Sequence, residues 1–75
     1  MTTLPTNTGW YAVRMKRADG TLRRDVAFVF TADGRTVLEL RSEPGRFVEW
    51  VPEGSTFDGP YVTPKAALEA TARPG

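Results

Sequence analysis

The side chains that most often do chemistry in a protein are nearly missing from this chain. Its 75 residues contain no cysteine and no histidine. That removes the thiolate nucleophile, the thiolate metal ligand and the general base that works near neutral pH. The only serines are Ser42 and Ser55, both in turn-like stretches, and there is no imidazole to activate them. Carboxylates recur at short spacing, Glu39 with Glu43 and Glu49 with Glu53. A glycosidase needs its two carboxylates across a deep cleft, and a chain this short rarely encloses one. No glycine-rich loop leads into lysine and a hydroxyl residue in the phosphate-binding order. No spaced Asp/Asn loop suits calcium or magnesium. The expectation is a protein that is not an enzyme and uses no cofactor and no metal.

What remains is binding chemistry. From Gly9 to Arg24 stand Arg14, Lys16, Arg17, Arg23 and Arg24 against the single acid Asp19. From Phe47 to Pro60 stand Glu49, Glu53 and Asp58 and no base. One positive and one negative region are expected, although the net charge of +1 supports no global polyelectrolyte argument. Trp10 beside Arg14, Lys16 and Arg23 makes the candidate binding surface, with Arg41 joining it and Trp50 divided between core and interface. Tryptophan and arginine dominate protein interfaces, so the first expectation is a protein partner, with a homodimer through the same surface as one form of it. The same side chains suit stacked bases and phosphates, which makes a single-stranded nucleic-acid binder the alternative. A third reading is a sponge for a small anionic ligand held by arginines at a dimer interface.

These residues need strands to position them. Tyr11, Val13 and Met15 alternate with Trp10, Ala12, Arg14 and Lys16, the period-2 signature of a strand. "LRRDVAFVFT" reads as a second strand, "TVLELRS" as a third and "RFVEWV" as a fourth, with turn residues between them. "PEGSTFDGP" reads as a loop whose Phe57 folds back on the core, and Tyr61 and Val62 could add a short edge strand. Register then follows from the tripeptide Ala-Asp-Gly, present at 18–20 and again at 32–34. A two-residue loop at Asp19-Gly20 sets Val13 opposite Val26 and Arg14 opposite Asp25. A three-residue loop would set Val13 against Asp25 and Arg14 against Arg24, which is less favourable. At the second copy a three-residue loop sets Phe28 opposite Leu38, where a two-residue loop would turn the leucines away from the phenylalanines. One tripeptide is thus expected to make two different turns. Leu22, Val26, Phe28 and Phe30 then join Tyr11, Val13, Leu38 and Leu40 on one side, with Asp25 between Arg14 and Arg41 on the other.

The C-terminal stretch "VTPKAALEATARPG" carries Thr63 as N-cap, Pro64 at the first helical position and Arg73-Pro74-Gly75 as the stop. A helix of about nine residues is marginal alone, so it must dock, through Ala67, Leu68 and Thr71, on the Phe28 side. The expected fold class is α+β: a four-stranded antiparallel β-meander with one short C-terminal α-helix packed on one face. Residues 1–8 read as a flexible N-terminal arm and 9–75 as a single domain. With no apolar run long enough to span a membrane and no signal-like start, a soluble, cytoplasmic protein without a membrane partner is expected.

Two segments carry a family resemblance. "TNTGWYAVRMKRADG", with Gly9, Trp10 and Tyr11, resembles the opening of small uncharacterised accessory proteins of actinobacterial phages and prophages. "GPYVTPKAALEA", with Gly59, Pro60, Tyr61 and Thr63, is similar to the Gly-Pro-aromatic-x-Thr lead into an alanine-rich helix in other small phage and bacterial α+β proteins. The resemblance covers about a third of the chain. It implies an accessory role in a host cytoplasm, such as modulating a host or defence protein, and supplies no active site. The strands-then-helix order is also similar, in topology alone, to the single-stranded-DNA-binding domains of transcriptional coactivators and whirly proteins.

Overall fold

The computed structural model describes residues 4–72. The chain forms five strands, β1 Gly9–Lys16, β2 Leu22–Ala32, β3 Arg35–Leu40, β4 Phe47–Val48 and β5 Thr56–Tyr61, followed by one helix, α1 Pro64–Thr71. All neighbours are antiparallel, in the order β4-β3-β2-β1-β5. The α+β class with a C-terminal helix stands, but the sheet has five strands rather than four. β1 to β4 make the meander, and β5 adds to its far edge. Strand four shrinks from the expected "RFVEWV" to Phe47–Val48.

The extra strand lies in the stretch read as a loop. Gly59 and Pro60 look like punctuation, yet Pro is tolerated on an edge strand, and here they make a close backbone approach. The pairing shifts register between Trp10 and Ala12. A Cβ on Gly59 would lie 2.8 Å from the Trp10 carbonyl oxygen and 2.9 Å from Tyr11 Cδ2. Phe57 does reach the core, as a strand residue opposite Val13 with its ring edge-on to Tyr11 at 6.0 Å.

Both hairpin registers differ from expectation, and in opposite senses. The first loop is the longer one: Arg17 N donates to Thr21 O at 2.7 Å and Gly20 N to Arg17 O at 3.0 Å, leaving Ala18-Asp19-Gly20 as a three-residue turn. Val13 therefore faces Asp25, and Arg14 faces Arg24. The second loop is the shorter one: Ala32 pairs with Arg35 and Phe28 with Glu39. Asp33 and Gly34 take φ of 51° and 74°, the conformation a primed two-residue turn requires. The local difference is the following residue. Thr21 donates to Asp19 Oδ1 through its N–H (2.9 Å) and its hydroxyl (2.6 Å), closing the wider loop, whereas Arg35 follows the second copy.

Since β2 shifts by one residue against both neighbours, it alone is turned over. One face of the sheet carries Tyr11, Val13, Ala27, Val29, Leu38 and Leu40, closed over by Val51 from the 49–55 connection and flanked by Leu4, Met15, Val48 and Phe57. This is the main core. The other face carries Ala12 and Val26, both buried, where α1 packs on β1, β2 and β5. Thr63 caps the helix as expected, its Oγ1 accepting from Ala66 N at 3.2 Å. Ala67 and Ala70 are the buried helix residues, while Leu68, an expected docking residue, is 50% exposed. With three alanines and one valine at the junction, helix and sheet approach closely. The stop at 73–75 lies outside the described residues.

Candidate functional site: the uncovered half of the helix face

An eight-residue helix is about 12 Å long, and five strands at about 4.8 Å spacing make a sheet some 19 Å across. α1 cannot cover its face. It starts beyond β5 and ends near Arg24, whose Nη1 donates to the Thr71 carbonyl at 3.3 Å. Beside it, on β1, β2, β3 and β4, lies a stripe of large apolar side chains. Trp10 is directly opposite Phe28, and their ring centroids are 4.9 Å apart. Phe28 and Phe30 stack at 5.6 Å, and Phe30 meets Phe47 edge-on at 6.0 Å. Val37 lies opposite Phe30. These rings support one another, which sharply limits their rotamers. Phe47 remains 57% exposed, and Trp10, Phe28, Phe30 and Val37 are half-buried.

Glu39 sits within the stripe, opposite both Phe28 and Phe47. Its Oε2 accepts from Gly45 N at 2.7 Å, so the β3–β4 turn holds the carboxylate in place. Arg35, two positions beyond Val37 along the same strand, pairs with Glu49 at 3.5 Å. The acidic segment does not gather into one pole. Its Glu49 lies near the β4 edge and its Asp58 on the β5 edge, where Asp58 Oδ2 accepts from the Tyr61 hydroxyl at 2.6 Å.

The six sequence-nominated side chains do not form one surface. Trp10 belongs to the stripe. Arg14 and Lys16 continue along β1 on the helix face, past the region α1 covers. Arg41 is also on the helix face, lining a hollow of about 270 Å³ with Arg24, Val26 and Leu68. Arg23 is on the core face, at its rim. It does not share a face with Trp10, and Asp25 does not lie between Arg14 and Arg41. Instead Arg23 Nη2 donates to Asp25 Oδ2 (3.0 Å) and to Ser42 Oγ (2.6 Å), Ser42 Oγ donates to Asp25 Oδ2, and Val26 N donates to Asp25 Oδ1 at 2.8 Å. The carboxylate that faces Val13 is thus fully engaged. Trp50, 58% exposed, shares with Arg23 a groove of about 320 Å³ on the core face, floored by Met15 and Leu40 and bridged by Glu43, which pairs with Arg46 at 3.1 Å.

Among the described residues no group of carboxylates is placed to hold a metal ion, and no helix is long and apolar enough to cross a membrane. Tyr11 and Asp19 are perturbed. Burial holds the Tyr11 hydroxyl above its ordinary value, and it donates to the Asn7 carbonyl at 2.6 Å. The Thr21 hydroxyl, then the Thr21 N–H, hold Asp19 below its ordinary value. Neither group is on the stripe.

Sequence reasoning placed Phe28 and Phe30 beneath the helix and missed Val37, Glu39 and Phe47 as surface residues. The signal that finds them is area: a helix of eight or nine residues cannot overlie three phenylalanines and a tryptophan spread across four strands. Comparison with family models, with curated proteins and with solved structures finds no match to this chain.

Proposed function

We propose that this domain works by binding another protein through the aromatic stripe of its helix face, without catalysis. The observation that carries this reading is the run Trp10–Phe28–Phe30–Phe47, pre-packed ring on ring and open on its outer side. A contiguous apolar patch with a polar rim is the usual mark of a docking surface. Rigid aromatic anchors lose little side-chain freedom on binding. Phosphates fit the stripe poorly, because Glu39 lies among the rings, Arg14, Arg24 and Arg41 lie away from them, and Arg35, the arginine in line with Val37, is paired with Glu49. That disfavours single-stranded nucleic acid as its ligand. With the Gly9-Trp10-Tyr11 and Gly59-Pro60-Tyr61 resemblances, the reading is of an accessory protein that modulates a host or defence protein.

A photo-crosslinking residue introduced at Phe47 tests this, with one at Lys65 as control. The expected result is a discrete crosslinked protein from position 47, lost when Trp10→Ala is added, and none from position 65. Equal crosslinking from both positions, or none from 47, contradicts the reading. A mobility shift with single-stranded oligonucleotides that weakens steeply with salt would favour the nucleic-acid alternative.

A further inference from the structure

We infer that the partner of the stripe is a second copy of this chain, docked face to face about a two-fold axis that crosses the strands at Val37. This rests on the stripe being a protein-docking surface. Along β3 the helix-face residues run Arg35, Val37, Glu39: positive, apolar, negative. A two-fold axis between two facing sheets, directed across the strands, reverses strand direction and keeps strand order. It sets Arg35 of each copy over Glu39 of the other, with the two Val37 side chains meeting on the axis. The pattern is self-complementary, as an isologous contact requires.

Side-chain size follows the same symmetry. Phe28 lies in the row of Glu39, and Ala32 lies in the row of Arg35. The rotation therefore brings each Phe28 over Ala32 of the other copy, a large residue over a small one, and sets the two Phe30 rings, which share the row of Val37, against each other at the axis. The helix is carried to the opposite end of the facing strands, so each copy's α1 lies beside the other's rings and not over them. Neither ion-pairing residue has to be recruited from a tight site. Arg35 is 74% exposed in its side chain and its pair with Glu49 is on the surface, where such pairs contribute little. Glu39 is already held within the stripe by Gly45 N. A guanidinium above Glu39 would also meet the faces of Phe28 and Phe47, adding a cation–π contact.

Sedimentation equilibrium on the full chain tests the inference through charge reversal. The wild type is expected to dimerise. Arg35→Glu and Glu39→Arg should each weaken that association about tenfold or more, since like charges across an interface are costly. An equimolar mixture of the two variants should dimerise, because each new charge then meets its opposite. A mixture that stays monomeric, or single variants that dimerise as well as wild type, overturns the arrangement. If Glu39→Arg unfolds through loss of the Gly45 contact, Arg35→Glu decides alone, its site being exposed. A wild type monomeric to about 1 mM overturns the second copy as partner, while crosslinking at position 47 reports separately on whether the stripe docks any protein.

Discussion

The two halves of the helix face share β1 and β2 and differ above all in side-chain size. Under α1 lie Ala12 and Val26, met by Ala67 and Ala70. Beside it lie Trp10, Phe28, Phe30, Val37 and Phe47. Small residues let a helix settle close to a sheet, and dispersion contacts there are dense. The rings stand too tall for that approach, so they pack on one another instead. The helix goes where the side chains are short, and what it cannot cover becomes the open surface.

Overfilling the covered half should have the largest effect. Ala67 is fully buried, and Ala67→Leu is expected to cost about 1–3 kcal/mol, seen as a lower denaturation midpoint. In the open half, Trp10→Ala removes a half-buried ring and its contact with Phe28, costing about 1 kcal/mol or more. Phe47→Ser should cost less than about 1 kcal/mol in stability yet abolish self-association. If Phe47→Ser destabilised the chain as much as Ala67→Leu, the ring would be core, and the distinction between the halves would fail.

Two smaller effects arise away from the helix face and should be indifferent to stripe variants. Tyr11 has its folded value raised above the ordinary 10.0 by burial. The stability this contributes is complete below pH 10 and is lost as pH rises through the raised value. Alkaline unfolding should therefore be shallower in Tyr11→Phe, by pH titration of the circular dichroism. Asp19 has its folded value lowered from 3.8, first by the Thr21 hydroxyl. Its contribution is present above the unfolded value and is lost as pH falls through the folded one. Thr21→Ala should reduce that acid-side dependence slightly, the smallest change expected here.

Which residues share a face within β1 and within β3 was legible in the sequence, as was the cap at Thr63. The two turn types were also expected but with the copies exchanged, and the helix lies on the Trp10 side of β1, not on the Tyr11 side where it was expected. The parity of β2 was not legible. Its run Val26-Ala27-Phe28-Val29-Phe30 is apolar on both sides because both sides are covered near its middle, by the 49–55 connection on one and α1 on the other. Alternation carries no sign in such a strand. Weighing the phenylalanines above Ala27 and Val29 then gave the wrong side. Repulsion between Arg14 and Arg24 argued against the register found, but Arg24 turns to the Thr71 carbonyl at the helix C-terminus, which favours a cation. β5 was hidden because Gly59 and Pro60 serve a backbone approach that sequence cannot distinguish from a loop.

The chain has no cysteine, so single thiols can be placed along β3 without background. Thiol-labelling rates of Val37→Cys and Leu38→Cys, measured across protein concentration, test the open, self-associating stripe most directly. The position-37 thiol should label fast when dilute and slowly when concentrated, while the position-38 thiol should label slowly throughout. Fast labelling at 38 with protection at 37 in dilute solution would contradict the strand faces, and a rate at 37 that ignores concentration would contradict the association.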